Sequence, residues 1–153
     1  MLLCEEGERE YEPEKFAGPN VFIETVEREE DLTVEALTAL QKKHKIKLVI
    51  LEYNGIWQEK TLTEALPRDW LIFQEMMFAE ATTILTYNQN MRNLVVDKMQ
   101  GPDLVVFNRC TDDTDIMALH KLVRGISRKP QIIYEREDGA IKQDDIEDPL
   151  PFD

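Results

Sequence analysis

Glu52 follows the apolar run Leu48 to Leu51, and Gly55 follows three residues on. A carboxylate leaving a buried strand with a glycine just beyond it has the parts of a phosphoryl-transfer site. The acid can hold magnesium through water or orient an attacking water, and the glycine lets a backbone N–H approach a terminal phosphate. The same spacing also fits a polar strand end followed by a glycine turn. A second exit, Asn108-Arg109-Cys110-Thr111-Asp112, follows the run Leu104-Val105-Val106-Phe107. Here an amide can bond a purine ring nitrogen, an arginine stem can lie over the ring face, and a carboxylate can accept from exocyclic and ring N–H groups. A helix N-cap among Thr111, Asp112 and Asp113 accounts for the same residues, and both readings can hold at once. A third exit, Cys4-Glu5-Glu6-Gly7-Glu8, leaves the short run Leu2 to Cys4.

Such exits need strands to deliver them. Strand-like runs alternate with helical patterns along the chain, which predicts an α/β fold with a mostly parallel sheet. The predicted strands are Leu2 to Cys4, Val21 to Thr25, Lys47 to Glu52, Trp70 to Met77, Leu104 to Phe107 and Gln131 to Tyr134. Leu48 to Leu51 and Leu104 to Phe107 are apolar throughout, as expected of central strands covered by helices on both faces, in a three-layer arrangement. Helical periodicity predicts helices over Val34 to His44, with Thr33 or Asp31 as cap, over Asn90 to Met99, and over Asp115 to Ile126. Ligands of open α/β sheets bind beyond the carboxyl ends of the strands, where all three exits fall.

In their order, these exits resemble the CobW-type P-loop GTPases, a family associated with metal delivery to cofactors and enzymes. Val49-Ile50-Leu51-Glu52-Tyr53-Asn54-Gly55 is similar to that family's Glu-x-x-Gly strand end. Leu104-Val105-Val106-Phe107-Asn108-Arg109 is similar to its Asn-Lys-x-Asp base-recognition strand, and Cys4-Glu5-Glu6-Gly7-Glu8 to its Asn-Glu-x-Gly-Glu switch segment. The similarity runs from about Leu2 to Tyr134. It implies a P-loop NTPase-like domain over residues 1–137, GTP and magnesium as ligands of the complete protein, Glu52 as catalytic residue, and Glu5 and Gly7 in the switch and magnesium region. It also implies that Gly55, Asn108, Arg109, Thr111 and Asp112 contact the nucleotide.

The chain departs from the family at several points. None of its six glycines precedes a lysine, so no Gly-x-x-x-x-Gly-Lys-Ser/Thr loop is present to cradle phosphates. The family's Cys-x-Cys-Cys metal motif belongs between Thr25 and Val34, where this chain has Val26-Glu27-Arg28-Glu29-Glu30-Asp31-Leu32-Thr33. No metal ligand set is therefore assigned. Arg109 replaces the family's lysine, and Thr111 takes the acid position with Asp112 one place later, which softens the expected preference for guanine.

Length and charge bound the remaining possibilities. A chain of 153 residues with 42% apolar content supports one domain with a packed core. Its net charge of −13 repels phosphate backbones, so nucleic acid is not an expected partner. No apolar run is long enough to span a membrane, and two widely spaced cysteines, Cys4 and Cys110, read as reduced thiols of a cytoplasmic protein. His44 and His120 are expected at the surface or as helix caps, the Met76-Met77-Phe78 run in the core, and Cys110 as a small packed residue rather than a reactive thiol. The abrupt start before Leu2 and the acidic, proline-broken tail over 138–153 are expected of a piece of a longer protein. A sheet edge exposed by such a truncation would invite self-association. The expected function is thus part of a GTP-binding domain, inactive alone. The alternative is a loop-less interaction or regulatory module for a protein partner that the sequence does not identify.

Overall fold

The computed structural model describes residues 1–5, 7, 11–16 and 20–143. They form an α/β protein that falls into two compact units, Met1–Leu71 and Ile72 onward. The acidic residues Glu6, Glu8 and Glu10 and the tail from residue 144 lie outside the described residues.

In the first unit three very short strands, β1 (Leu2–Leu3), β2 (Glu24–Thr25) and β3 (Leu51–Glu52), form a parallel sheet in the order β2-β1-β3. Leu2 pairs with Glu24 on one side and Leu51 on the other, and Leu3 with Thr25 and Glu52. Helix α1 (Val34–His44) has the predicted bounds. The Thr33 hydroxyl accepts from the Ala36 N–H at 3.2 Å, and Lys45 ends the helix in the left-handed region at φ 52°. A second helix, α2 (Glu59–Ala65), is capped from outside its own sequence: Glu29 Oε1 accepts from the Gln58 N–H and the Thr61 hydroxyl. Leu2, Cys4, Val26, Leu32, Leu37, Trp57 and Ala65 make the core of this unit.

The second unit has strands β4 (Met76–Glu80), β5 (Leu104–Cys110), β6 (Gln131–Arg136) and β7 (Ile141–Gln143) in that spatial order. The first three are parallel, and β7 returns antiparallel to β6 through a turn at Gly139, whose φ of 80° suits a residue without Cβ. Helices α3 (Ile84–Asn90) and α4 (Arg92–Gln100) lie between β4 and β5, and α5 (Ile116–Arg124) lies between β5 and β6. They supply Ile84, Val95, Met99, Leu119 and Val123 to one core with Ala79, Val105, Phe107, Ile132 and Tyr134. Phe107 and Tyr134, stacked with ring centroids 5.9 Å apart, sit at its centre.

Several expectations are corrected. The strands make two sheets, one in each unit, instead of one continuous sheet. Leu48 and Ile50 are outside β3 and 75% and 60% exposed, so that run is no central strand, and β3 is itself an edge of its sheet. The strand expected over Trp70 to Met77 begins only at Met76. Of Met76-Met77-Phe78 only Met77 packs on the core, because alternate residues of β4 face opposite ways and Met76 and Phe78 are exposed. The helix expected from Asn90 is broken at Met91, where φ −132° and ψ 47° leave the helical region. His120 is fully buried on α5, not at the surface. Strand β7 falls inside the region expected to be tail.

Candidate functional site

In the first unit, β3 delivers Glu52 at its carboxyl end, held in register by the Cys4 N–H donating to the Glu52 carbonyl at 2.8 Å. One carboxylate oxygen, Glu52 Oε2, accepts from the Tyr11 hydroxyl at 2.8 Å, and this negative partner raises the Tyr11 phenol above its ordinary range. The chain then turns. Asn54 Nδ2 donates to the Cys4 carbonyl at 3.1 Å, while Asn54 Oδ1 accepts from the Ile56 N–H at 2.9 Å. The turn fixes the Gly55 N–H, which donates to Glu5 Oε2 at 3.0 Å. Among the described residues, a Cβ built on Gly55 would meet nothing closer than that same oxygen, at 3.8 Å. Gly55 is therefore not required by its backbone angle or by crowding from the protein. Gly7 is exposed and is itself in no strand or helix.

Beneath this exit Cys4 is buried, and burial pushes its thiol up to about 11. Tyr53 donates to the Gln58 carbonyl at 2.6 Å, and its phenol is raised first by burial and then by the charges of Glu59 and Glu29. On the far side of the unit, Glu24 Oε1 lies 2.6 Å from both Lys43 Nζ and His44 Nε2, and the His44 ring stacks on Phe22. Those two partners lower the Glu24 carboxyl. An apolar cleft of this unit, about 250 Å³, is lined by the amino ends of the strands and by helix α1, with Met1, Phe22, His44 and Ile50 among its residues. None of the predicted site residues lines it.

In the second unit the exit of β5 is bent. Pairing with β6 shifts register between Phe107 and Cys110, and Arg109 between them has φ 56°, in the left-handed region that a residue with a Cβ enters at a cost. The bend leaves Asn108 opposite Glu80, with its carbonyl accepting from the Ala81 N–H at 3.0 Å. Its side-chain Oδ1 is buried and accepts no hydrogen bond from the described residues. Arg109 Nη1 lies 3.3 Å from Glu80 Oε2, while Glu80 Oε1 accepts from the Thr82 hydroxyl at 2.6 Å. Glu80 is thus a member of this exit that sequence reasoning missed. Its signal was available, since it ends the neighbouring strand.

The remaining predicted residues divide. Asp112 Oδ1 lies 2.7 Å from Arg136 Nη1, and this hydrogen bond holds the Asp112 carboxyl below its usual range. Thr111 is exposed and donates its N–H to the Thr114 hydroxyl at 2.8 Å. Neither caps the following helix. Asp115 does so, its carboxylate accepting from the Ala118 N–H at 2.9 Å, which removes the capping explanation for Thr111, Asp112 and Asp113. Cys110 is buried and donates to the Phe107 carbonyl, and burial raises its thiol, as fits a packed residue.

The arrangement can therefore do two separate things. The first unit presents an aimed backbone N–H beside a strand-end carboxylate. The second presents a buried amide oxygen with no donor among the described residues, and next in sequence a guanidinium paired with Glu80. Among the described residues no cluster of three or more His, Cys, Asp and Glu side chains is arranged to hold a metal ion, and no helix is long and apolar enough to cross a membrane. No protein-family model, curated protein or solved structure matches the chain.

Proposed function

We propose that this chain is part of a P-loop NTPase-like, GTP-binding domain of the CobW type, in which the exit of β5 reads a purine base; the exit of β3, in the other unit, is read by itself as an anion-binding exit. The observation that carries the reading is Asn108. A buried amide oxygen without a donor costs about 1–3 kcal/mol, so proteins keep such groups where a ligand completes them. A purine edge offers N–H groups to an amide oxygen and a ring nitrogen to the amide N–H. The left-handed bend at Arg109 is the second support, since backbone strain of this kind collects at ligand sites.

At the other exit, Glu52 and Glu5 are hard oxygen donors that suit magnesium held largely through water and phosphate oxygens, which is the charge neutralisation magnesium supplies in phosphoryl transfer. Glu52 keeps Oε1 available for that role while Tyr11 holds Oε2. The sequence contains no phosphate-binding loop, and positioning of the phosphates supplies nearly all of the catalysis in such sites. Hydrolysis is accordingly proposed only for a protein in which that loop is also present.

The test is a titration of the ¹⁵N-labelled chain with guanosine monophosphate. The Asn108 side-chain amide should shift, and Asn108→Ala should weaken binding by about tenfold or more, as loss of a bidentate buried partner implies. Thr111→Asp should sharpen guanine over adenine by adding an acceptor for guanine N–H groups. Binding by Asn108→Ala equal to the parent would sink the base-reading role. A second reading, a loop-less interaction module, is favoured by the almost full exposure of Leu71 and Phe73, at 92% and 95%. A chain that ignores the nucleotide altogether would leave that reading standing.

A further inference from the structure

The hydrogen bond between Glu5 and Gly55 bears on how the β3 exit takes an anion. Gly55 supplies the N–H that the phosphoryl-transfer reading reserves for an anionic phosphate oxygen. The group on it is already an anionic oxygen, Glu5 Oε2 at 3.0 Å. To a backbone N–H, a carboxylate oxygen and a phosphate oxygen are close equivalents: both are charged acceptors that bond at similar distance and with similar strength. The Asn54 side chain aims this N–H by tying the turn to Cys4 and Ile56, so its direction does not depend on Glu5. Glu5 and Gly55 are both exposed, so a dissolved anion can compete for the position. Among the described residues, the only group within 4 Å of a Cβ built at Gly55 is Glu5 itself.

We propose that Glu5 is an internal anion that occupies the Gly55 N–H in the absence of phosphate and is displaced by a phosphate oxygen. This rests on the reading of the β3 exit given above and adds its regulation. Phosphate binding must first break a charge-assisted hydrogen bond, so affinity for the anion is lowered and the displaced Glu5 carboxylate is freed to act elsewhere. Glu5 thereby becomes the residue through which the ligand state of Gly55 is transmitted.

The experiment follows the Gly55 amide by NMR in the full ¹⁵N-labelled chain during titration with pyrophosphate. Glu5→Ala should bring the Gly55 response to about tenfold lower pyrophosphate, the size expected when a competing charge-assisted hydrogen bond is removed. Glu14→Ala removes one charge from an exposed residue of the same unit and should respond as the parent does, which separates displacement from a general loss of negative charge. Glu5→Gln keeps the side-chain size and a neutral acceptor and should fall between the two, so the result does not depend on the alanine variant alone. An equal response in parent and Glu5→Ala, or no Gly55 response in either Glu5 variant, would overturn the proposal. The guanosine monophosphate response at Asn108, read in the same samples, tests the base-reading role separately. Its loss with the Gly55 effect intact removes only the purine reading, and the reverse result removes only the internal anion.

Discussion

The bend at Arg109 makes a prediction whose sign, not only its size, is fixed by the backbone. In an ordinary strand, glycine is about 0.5–1 kcal/mol less stable than alanine because it loses more chain entropy on folding. In the left-handed region the order reverses, since a Cβ there costs about 1–2 kcal/mol. Arg109 sits at φ 56°. Arg109→Ala and Arg109→Gly both remove the guanidinium that lies 3.3 Å from Glu80, so the ion pair cancels when the two variants are compared. What remains is the left-handed cost less the glycine entropy, about 0.5–1 kcal/mol in favour of glycine. That corresponds to about a two- to fivefold change in the local opening equilibrium. A global melt would mix the two units, so the appropriate measurement is native-state hydrogen exchange of the Val106 and Phe107 amides, in the same strand. These amides should exchange about two- to fivefold more slowly in Arg109→Gly than in Arg109→Ala. Slower exchange in the alanine variant would mean that residue 109 has ordinary strand geometry, and the strain argument for a ligand site at this exit would go with it.

Two further outcomes follow from burial. Phe107→Ala removes a fully buried ring stacked on Tyr134 and should destabilise the second unit by about 3–5 kcal/mol, read as the loss of its transition in urea unfolding followed by the Tyr134 near-ultraviolet signal; a shift below about 1 kcal/mol would contradict the assigned core. Burial raises the Cys4 thiol from 9.0 to about 11, so its contribution to stability is complete below the unfolded value and is lost as pH rises through about 11. Unfolding of the first unit, followed by Trp57 and Trp70 fluorescence, should weaken across that window, and less steeply in Cys4→Ala. Parallel pH profiles for parent and variant would refute the assignment.

What the sequence made legible was local, and what it hid was set by partners far along the chain. Helix α1 was readable to the residue because its apolar period, the Thr33 cap and the basic last turn are all written within one segment. The runs Leu48 to Leu51 and Leu104 to Phe107 look alike as sequence, yet only the second is a long buried strand. A strand extends only as far as its neighbour pairs with it, and β1 offers Leu2 and Leu3 alone to β3, whereas β4 and β6 both run beside β5. Helix α2 was hidden because its cap comes from Glu29, in another segment. Strand β7 carried a readable signal, the Asp138-Gly139 pair of a hairpin turn, within an acidic stretch that reads as tail.

The same division governs the site. Residue types at the strand exits pointed to Glu52, Gly55 and Asn108, because a side chain's chemistry and its place after an apolar run are local facts. Which of those groups are already engaged is not local. Arg136 holds Asp112, Tyr11 holds Glu52 and Glu5 holds the Gly55 N–H, each from a different stretch of chain. Asn108 differs from these, since its buried Oδ1 accepts no hydrogen bond from the described residues. A carboxylate with a cation on it, or an N–H with an anion on it, binds a ligand only by exchange, and its affinity is the difference between two bonds. An amide oxygen with no donor gains the whole of a new one. Base recognition at Asn108 should therefore be the stronger and less salt-dependent of the two interactions, and phosphate recognition at Gly55 the conditional one.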